Sequence, residues 1–226
     1  MGLLPEISTK NELCGLIEEI GFLPLFRNDI PGFSVYEITK REYWFEGDPE
    51  KDPWEWREQI AAEGAIAYGK FFGKKAGFIS KGLFPAFANI KRAGYDFDSL
   101  YEEGLAARKS YVIMKFFENG RILPSYEIRR LAGFGGSGEK GFEGALAALQ
   151  SQTYLTVRGF VYRRNMRGEP YGWSAALYST PEALFGYDYV RSGYGSAERS
   201  IEKVLERCMK SVKGLPEGKV RKLITR

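Results

Sequence analysis

Histidine is missing from all 226 residues. That removes the side chain that most often moves protons near neutral pH. With it go Ser-His-Asp and Cys-His nucleophile systems and every His-containing metal site. Cysteine is nearly as scarce: Cys14 and Cys208 lie toward opposite ends and make no metal-type spacing. Two isolated thiols in a chain of this size predict a reduced, cytoplasmic setting with no disulfide framework. No apolar run is long enough to span a bilayer, and the N-terminus lacks a signal-peptide core, so no membrane partner is expected. What the chain does hold is aromatic: four Trp, 14 Tyr and 16 Phe, enough to argue for a packed core and against disorder. At this length one large domain or two small ones fit.

Charge is unevenly spread. Residues 1–103 carry 12 Lys/Arg against 18 Asp/Glu, a net −6, while 104–226 carry 21 against 11, a net +10. This divides the chain into an acidic, aromatic-rich and mostly helical N-terminal region and a basic second half. A cationic surface predicts a polyanion partner, most simply duplex DNA. A basic half that merely docks on the acidic one would explain the same asymmetry.

In the first half, a helix is predicted after Ser8 or Thr9, with Leu13, Leu16, Ile17 and Ile20 at helical spacing and Gly21 as its stop. Residues 22–32 read as irregular. Asp52-Pro53 with Glu55 marks a helix start, and that helix runs to about Gly64. Apolar runs broken by glycine over 65–81 suggest a hairpin. In the second half, one helix is expected over 105–118, burying Leu105, Val112, Ile113, Phe116 and Phe117. Another, capped by Ser125, buries Ile128, Leu131 and Ala132. A glycine-rich turn at 133–138 leads to a third helix over 141–149, burying Phe142, Leu146 and Leu149. Two strands follow, over 153–164 and 171–180, joined by a loop at 165–170. A last helix over 197–212 and a basic tail close the chain. The order helix, helix, turn, helix, strand, wing, strand is that of a winged helix-turn-helix, so the expected fold is α+β, with the N-terminal region packed on a winged-helix domain.

The turn from Gly133 to Gly138 spells G-x-G-x-x-G. It follows a helix containing Arg129 and Arg130 instead of a buried strand, so the dinucleotide-binding context fails and no cofactor is expected. Its amides, with Lys140 beyond, could still hold a DNA phosphate. The outward face of the third helix should present Lys140, Glu143, Gly144, Ala147 and Ser151, which offers few groups that read base edges. Binding with little sequence preference is therefore expected. Arg129, Arg130, Lys140 and the wing residues Arg163, Arg164 and Arg167 are the candidate DNA contacts, against the plain alternative of a solvated hairpin tip. Gln150 and Gln152 lie where the third helix meets the strand. On an extended segment they would share a face and could hold one water, and otherwise they are surface amides. Tyr43-Trp44-Phe45, Asp48, Asp52, Trp54, Glu55 and Trp56 form an aromatic and acidic cluster, read as core rings with capping and solvated acids.

Several of these runs carry a resemblance. Leu149-Gln150-Ser151-Gln152-Thr153-Tyr154-Leu155, Gly168-Glu169-Pro170-Tyr171-Gly172-Trp173, Asp52-Pro53-Trp54-Glu55-Trp56-Arg57 and Tyr68-Gly69-Lys70-Phe71-Phe72 resemble the AlkZ-related proteins. That group is named after the AlkZ and YcaQ bacterial DNA glycosylases, built from winged-helix modules. The resemblance covers most of the chain. It implies a DNA-repair setting in which Gln150 and Gln152 are the catalytic candidates, because the glycosylases place the attacking water with a Gln-x-Gln motif. Here the middle residue is Ser151, where those enzymes usually carry an apolar one. The expected activities are thus glycosylase-like removal of alkylated bases or DNA binding without chemistry. A module that binds a protein partner is the alternative, and no metal enters any of them. Oligomeric state is left open.

Overall fold

The computed structural model describes residues 3–135, 138 and 140–226. Among the described residues six strands are formed, by Phe22–Pro24 (β1), Ile66–Phe72 (β2), Lys75–Ser80 (β3), Leu123–Pro124 (β4), Thr156–Arg164 (β5) and Pro170–Ser179 (β6). They make one antiparallel sheet in the order β1-β3-β2-β5-β6-β4, so the α+β class is as expected. Three strands come from each side of residue 103. They meet where Tyr68 of β2 pairs with Val157 of β5, and the Thr156 hydroxyl donates to the Tyr68 carbonyl at 3.0 Å.

The first helix, α1 (Lys10–Ile20), begins as predicted. The Thr9 hydroxyl accepts from the Glu12 amide, the Glu12 carboxylate accepts from the Thr9 amide, and Gly21 at φ +96° ends the helix. A one-turn helix, α2 (Val35–Ile38), leads to α3 (Pro53–Glu63). Asp52, fully buried, caps α3 by accepting from the Trp54 amide at 2.7 Å and also holds the Gly47 amide at 3.1 Å. The hairpin expected within 65–81 is β2–β3, closed by Phe72 opposite Lys75. Then come α4 (Phe84–Arg92), α5 (Phe97–Glu102) and α6 (Arg108–Met114). After β4 the chain forms α7 (Ser125–Leu131) and α8 (Phe142–Ser151), then the long β5–β6 hairpin, with β4 hydrogen-bonded to the far side of β6. Four helices finish the chain: α9 (Pro181–Phe185), α10 (Tyr187–Arg191), α11 (Ala197–Ser211) and α12 (Glu217–Thr225).

The core lies mostly between the sheet and α1, α3, α4 and α11. Phe22, Phe33, Phe71, Phe72, Phe78, Phe84 and Phe87 are buried there in edge-to-face and tilted contacts, such as Phe22 with Phe87 at 5.3 Å. The C-terminal helices return to the N-terminal ones. Arg207 of α11 donates to the Glu19 and Glu18 carbonyls at 2.8 and 3.0 Å, and Ser211 donates to Glu19 at 3.1 Å. These are orphan acceptors at the C-terminus of α1, where a cation also complements the helix dipole.

Several local expectations need correction. Residues 22–24 pair with β3 and are not irregular. The helix expected over 105–118 is α6 followed by a 3₁₀ segment to Gly120, and Leu105 lies exposed ahead of it. Ser125 is the first residue of α7; Pro124, whose ring fixes an extended approach, holds the cap position. Ala147 is buried where an outward position was expected. The basic tail is largely α12, with Val220, Leu223 and Ile224 buried against α4 and α11. Its i, i+3, i+4 apolar set was hidden among Lys219, Arg221 and Lys222.

Candidate nucleic-acid interface

The β5–β6 hairpin runs beyond the rest of the sheet. Every residue from Tyr162 to Trp173 is exposed. Its tip is nonetheless tightly built. The Asn165 side-chain oxygen accepts from the Arg167 and Glu169 amides at 2.9 and 3.0 Å, and Arg164 donates to the Gly168 carbonyl at 2.6 Å. Gly168 takes φ +79°, which the turn demands. Arg163 sits opposite Tyr171 and places its guanidinium 4.9 Å from the ring centre of Tyr126 on α7. That contact sets the hairpin beside α7.

Arg130 is well exposed on α7 and reaches Glu127 only at 4.0 Å. Arg129 is more engaged: it bonds Glu143 of α8 at 2.5 Å and lies over the Phe142 ring at 4.7 Å. Lys140 is exposed just before α8, and its carbonyl accepts from the Lys109 ammonium at 2.7 Å. Of the glycine-rich turn, Gly136 and Ser137 lie outside the described residues, as does Glu139 beyond it. The described part shows Phe134 buried against Phe142. The structure therefore groups Arg129, Arg130, Arg163 and Lys140 near one edge and puts Arg164 and Arg167 at the hairpin tip.

The hairpin also presents Met166, Tyr162, Tyr171 and Trp173, the last 88% exposed. Attention to charge alone passes over them. The available signal was a run of aromatic residues flanking a turn, where no facing element could bury them. Gly172 at φ +72° lies within the irregular stretch of β6 that swings Trp173 outward.

Gln150 and Gln152 are not on an extended segment. Gln150 is in the last turn of α8, and Gln152 has φ −83°, ψ 4°, still close to helical. Two positions apart on helical backbone, the side chains diverge. The Gln150 carboxamide is buried: its oxygen accepts from the Lys70 amide at 3.1 Å and its nitrogen donates to the Leu146 carbonyl at 3.2 Å. It also reaches the Tyr178 phenol, which burial holds above its ordinary pKa and therefore neutral. Gln152 is half-buried.

The aromatic cluster divides. Trp56 and Trp44 are core, and Asp52 is a cap, as expected. Glu55 is held above the usual carboxylate range by partial burial and by the neighbouring Glu58 and Asp52 carboxylates. Trp54 is only half-buried, and Phe26 and Phe45 are exposed. The guanidinium of Arg57 is sandwiched between Trp54 at 3.5 Å and Phe160 of β5 at 4.2 Å, which fixes α3 to the root of the hairpin. Glu58 adds a second tie, accepting from the Ser174 hydroxyl at 3.0 Å.

Among the described residues no cluster of metal-ligating side chains exists, and no helix is long and apolar enough to cross a membrane. What the fold and this edge define is an α+β protein with a projecting, cation-bearing hairpin beside two short helices. Residues 7–225 match the family model described as AlkZ related, and the chain belongs to that family. No curated protein and no solved structure matches it.

Proposed function

We propose that this protein binds duplex DNA through a winged-helix arrangement, with little sequence preference. The observation that carries the reading is the exposed β5–β6 hairpin with Arg163, Arg164 and Arg167. Support for the winged-helix assignment comes from element order and pairing: α6, β4, α7, α8, β5, β6, with β4 added to the outer edge of β6. In this reading 104–226 is the DNA-facing part, and 1–103 supplies the other half of the sheet on which it rests. Phosphates attract the hairpin arginines, Arg130 and Lys140, and Arg129 joins them by exchanging Glu143 for a phosphate. The exposed face of α8 holds Glu143 and Gly144 and lacks the bidentate donors that read bases, which fits a shape-dependent contact.

The test is duplex binding by fluorescence anisotropy across a salt series. The triple change Arg163→Ala/Arg164→Ala/Arg167→Ala should weaken binding about tenfold or more. It should also make the slope of log K against log salt shallower by about 2 to 3. An unchanged slope would remove the wing from the interface. Absence of binding at low salt would favour a protein partner for the same surface, with Trp173 and Met166 as its apolar anchors.

Family membership favours a second reading, hydrolysis of the bond between an alkylated base and its sugar, with Gln150 and Gln152 holding the water. Both hydrogen-bonding ends of Gln150 already serve the protein. An alkylated duplex incubated with wild type and with Gln152→Ala measures it. Base release that survives Gln152→Ala ends the assignment of the pair.

A further inference from the structure

The sharpest chemistry outside the wing lies in the acidic half. An open cleft of about 570 Å³ is lined by Phe26, Tyr36, Trp54 and Tyr68 and rimmed by Arg27, Lys70, Lys74 and Lys75. Its floor is a connected set of rings, with Phe26 6.2 Å from Tyr36 and 6.3 Å from Trp54; the exposed Phe45 stands outside the lining, 5.1 Å from Trp54. Among the described residues none of the three lysines has a carboxylate within 4.0 Å, and Lys75 reaches only the Arg27 carbonyl, at 3.5 Å. Arg27 is 4.0 Å from Glu37 and remains more than half exposed. Four cations thus ring an aromatic floor in a region of net −6.

Two backbone observations point the same way. Lys74 takes φ +67° beside Gly73 at +57°, the paired left-handed geometry of a two-residue hairpin that favours Asn or Gly. Phe45 takes φ +68° with its ring 62% exposed, so neither burial nor backbone preference explains a bulky residue there. Stability alone would select against both choices, and strained non-glycine residues gather where a side chain is wanted for contact.

We propose that this cleft binds an unpaired nucleotide of single-stranded DNA, the base stacking on Trp54 and Phe26 and the phosphate held by Lys70, Lys74 and Lys75. Stacking on aromatic faces tolerates any base, and a cationic rim follows the backbone. Arg57 and Phe160 connect the floor to the root of the hairpin. The proposal uses none of the wing arginines and so stands or falls apart from the duplex reading.

The experiment follows tryptophan fluorescence of the full chain during titration with (dT)12, dTMP and thymidine. Quenching by (dT)12 should vanish in Trp54→Leu and should need about tenfold more ligand in Lys70→Glu/Lys74→Glu/Lys75→Glu. Thymidine, lacking phosphate, should bind about tenfold more weakly than dTMP. The wing triple variant should match wild type within about twofold. Tighter binding of (dT)12 than of dTMP assigns the strand as occupant; equal binding overturns the strand and leaves a mononucleotide site. Quenching untouched by the lysine reversal, or lost in the wing variant, overturns the cleft. Should the reversal variant fail to fold, Lys74→Asn suits the turn and should raise Tm while weakening (dT)12 binding about threefold. Unchanged affinity in that variant overturns the role of the rim.

Discussion

Cys208 shows how one buried side chain sets a pH response. It is fully buried on α11, and burial pushes its thiol up to about 12. Unfolded, the thiol ionises near its ordinary value of about 8.5. Between these two values the unfolded chain loses the proton and the folded chain keeps it, so stability falls as pH rises. Cys208→Ala should remove this slope. Its stability deficit against wild type in urea unfolding should therefore shrink by about 1.6 kcal/mol between pH 8.5 and 10. A deficit constant across that range would refute the argument. Nothing in the sequence announced Cys208 as core beyond the apolar spacing of its helix. Gln150 was harder to read, because a carboxamide that closes a backbone bond 80 positions away looks, in one dimension, like any surface amide.

At the level of elements, Arg92 at the end of α4 organises the segments that follow the third helix of the basic half. It is buried and bonds Glu182 of α9 at 2.5 Å, the Thr153 hydroxyl and carbonyl at 3.2 and 2.5 Å, and Tyr194 at 3.0 Å. Thr153 itself sits at φ +62°. Arg92→Leu strips the partner from a partly buried carboxylate and a buried carbonyl, leaves the network unmade, and should cost about 3 kcal/mol in urea unfolding. Arg92→Lys should recover less than half, since a single ammonium cannot reach three partners. A loss below about 1 kcal/mol would mean the network is dispensable. The helices and long strands here were legible because their caps and apolar periods are local: Thr9 ahead of Leu13, Leu16, Ile17 and Ile20, Asp52 with Pro53, and Phe142 with Leu146 and Leu149. The short strands β1 and β4 were not, because strands of two or three residues exist only by pairing with partners that sequence does not locate, and α9 and α10 are too short to show an apolar period.

For the whole molecule, the charge boundary near residue 103 is not where the sheet ends. The Tyr68–Val157 pairing, the Thr156–Tyr68 bond and the Gln150–Lys70 bond all cross it. Gln150→Ala should cost about 1–3 kcal/mol by leaving the Lys70 amide without its acceptor. The chain should still unfold in one transition, with tryptophan fluorescence and far-ultraviolet circular dichroism giving the same midpoint. Separate midpoints would show that the acidic and basic halves are independent units. The α+β class and the polarity of charge were readable from composition and pattern. The aromatic cleft was not, since Phe26, Trp54 and Lys74 meet only after β2 and β3 have paired and α3 has packed beside them.

The return of α11 and α12 to α1 and α4 also sets a schedule for synthesis. On the ribosome, α4 is complete when Arg92 has been added, but the helices that cover it end at Ser211 and Thr225. At ordinary elongation rates that interval lasts on the order of ten seconds, during which an apolar helical face waits uncovered. The nascent chain is therefore a natural client for a chaperone. That face is covered only once the segment through Thr225 has emerged and α11 and α12 have packed on it.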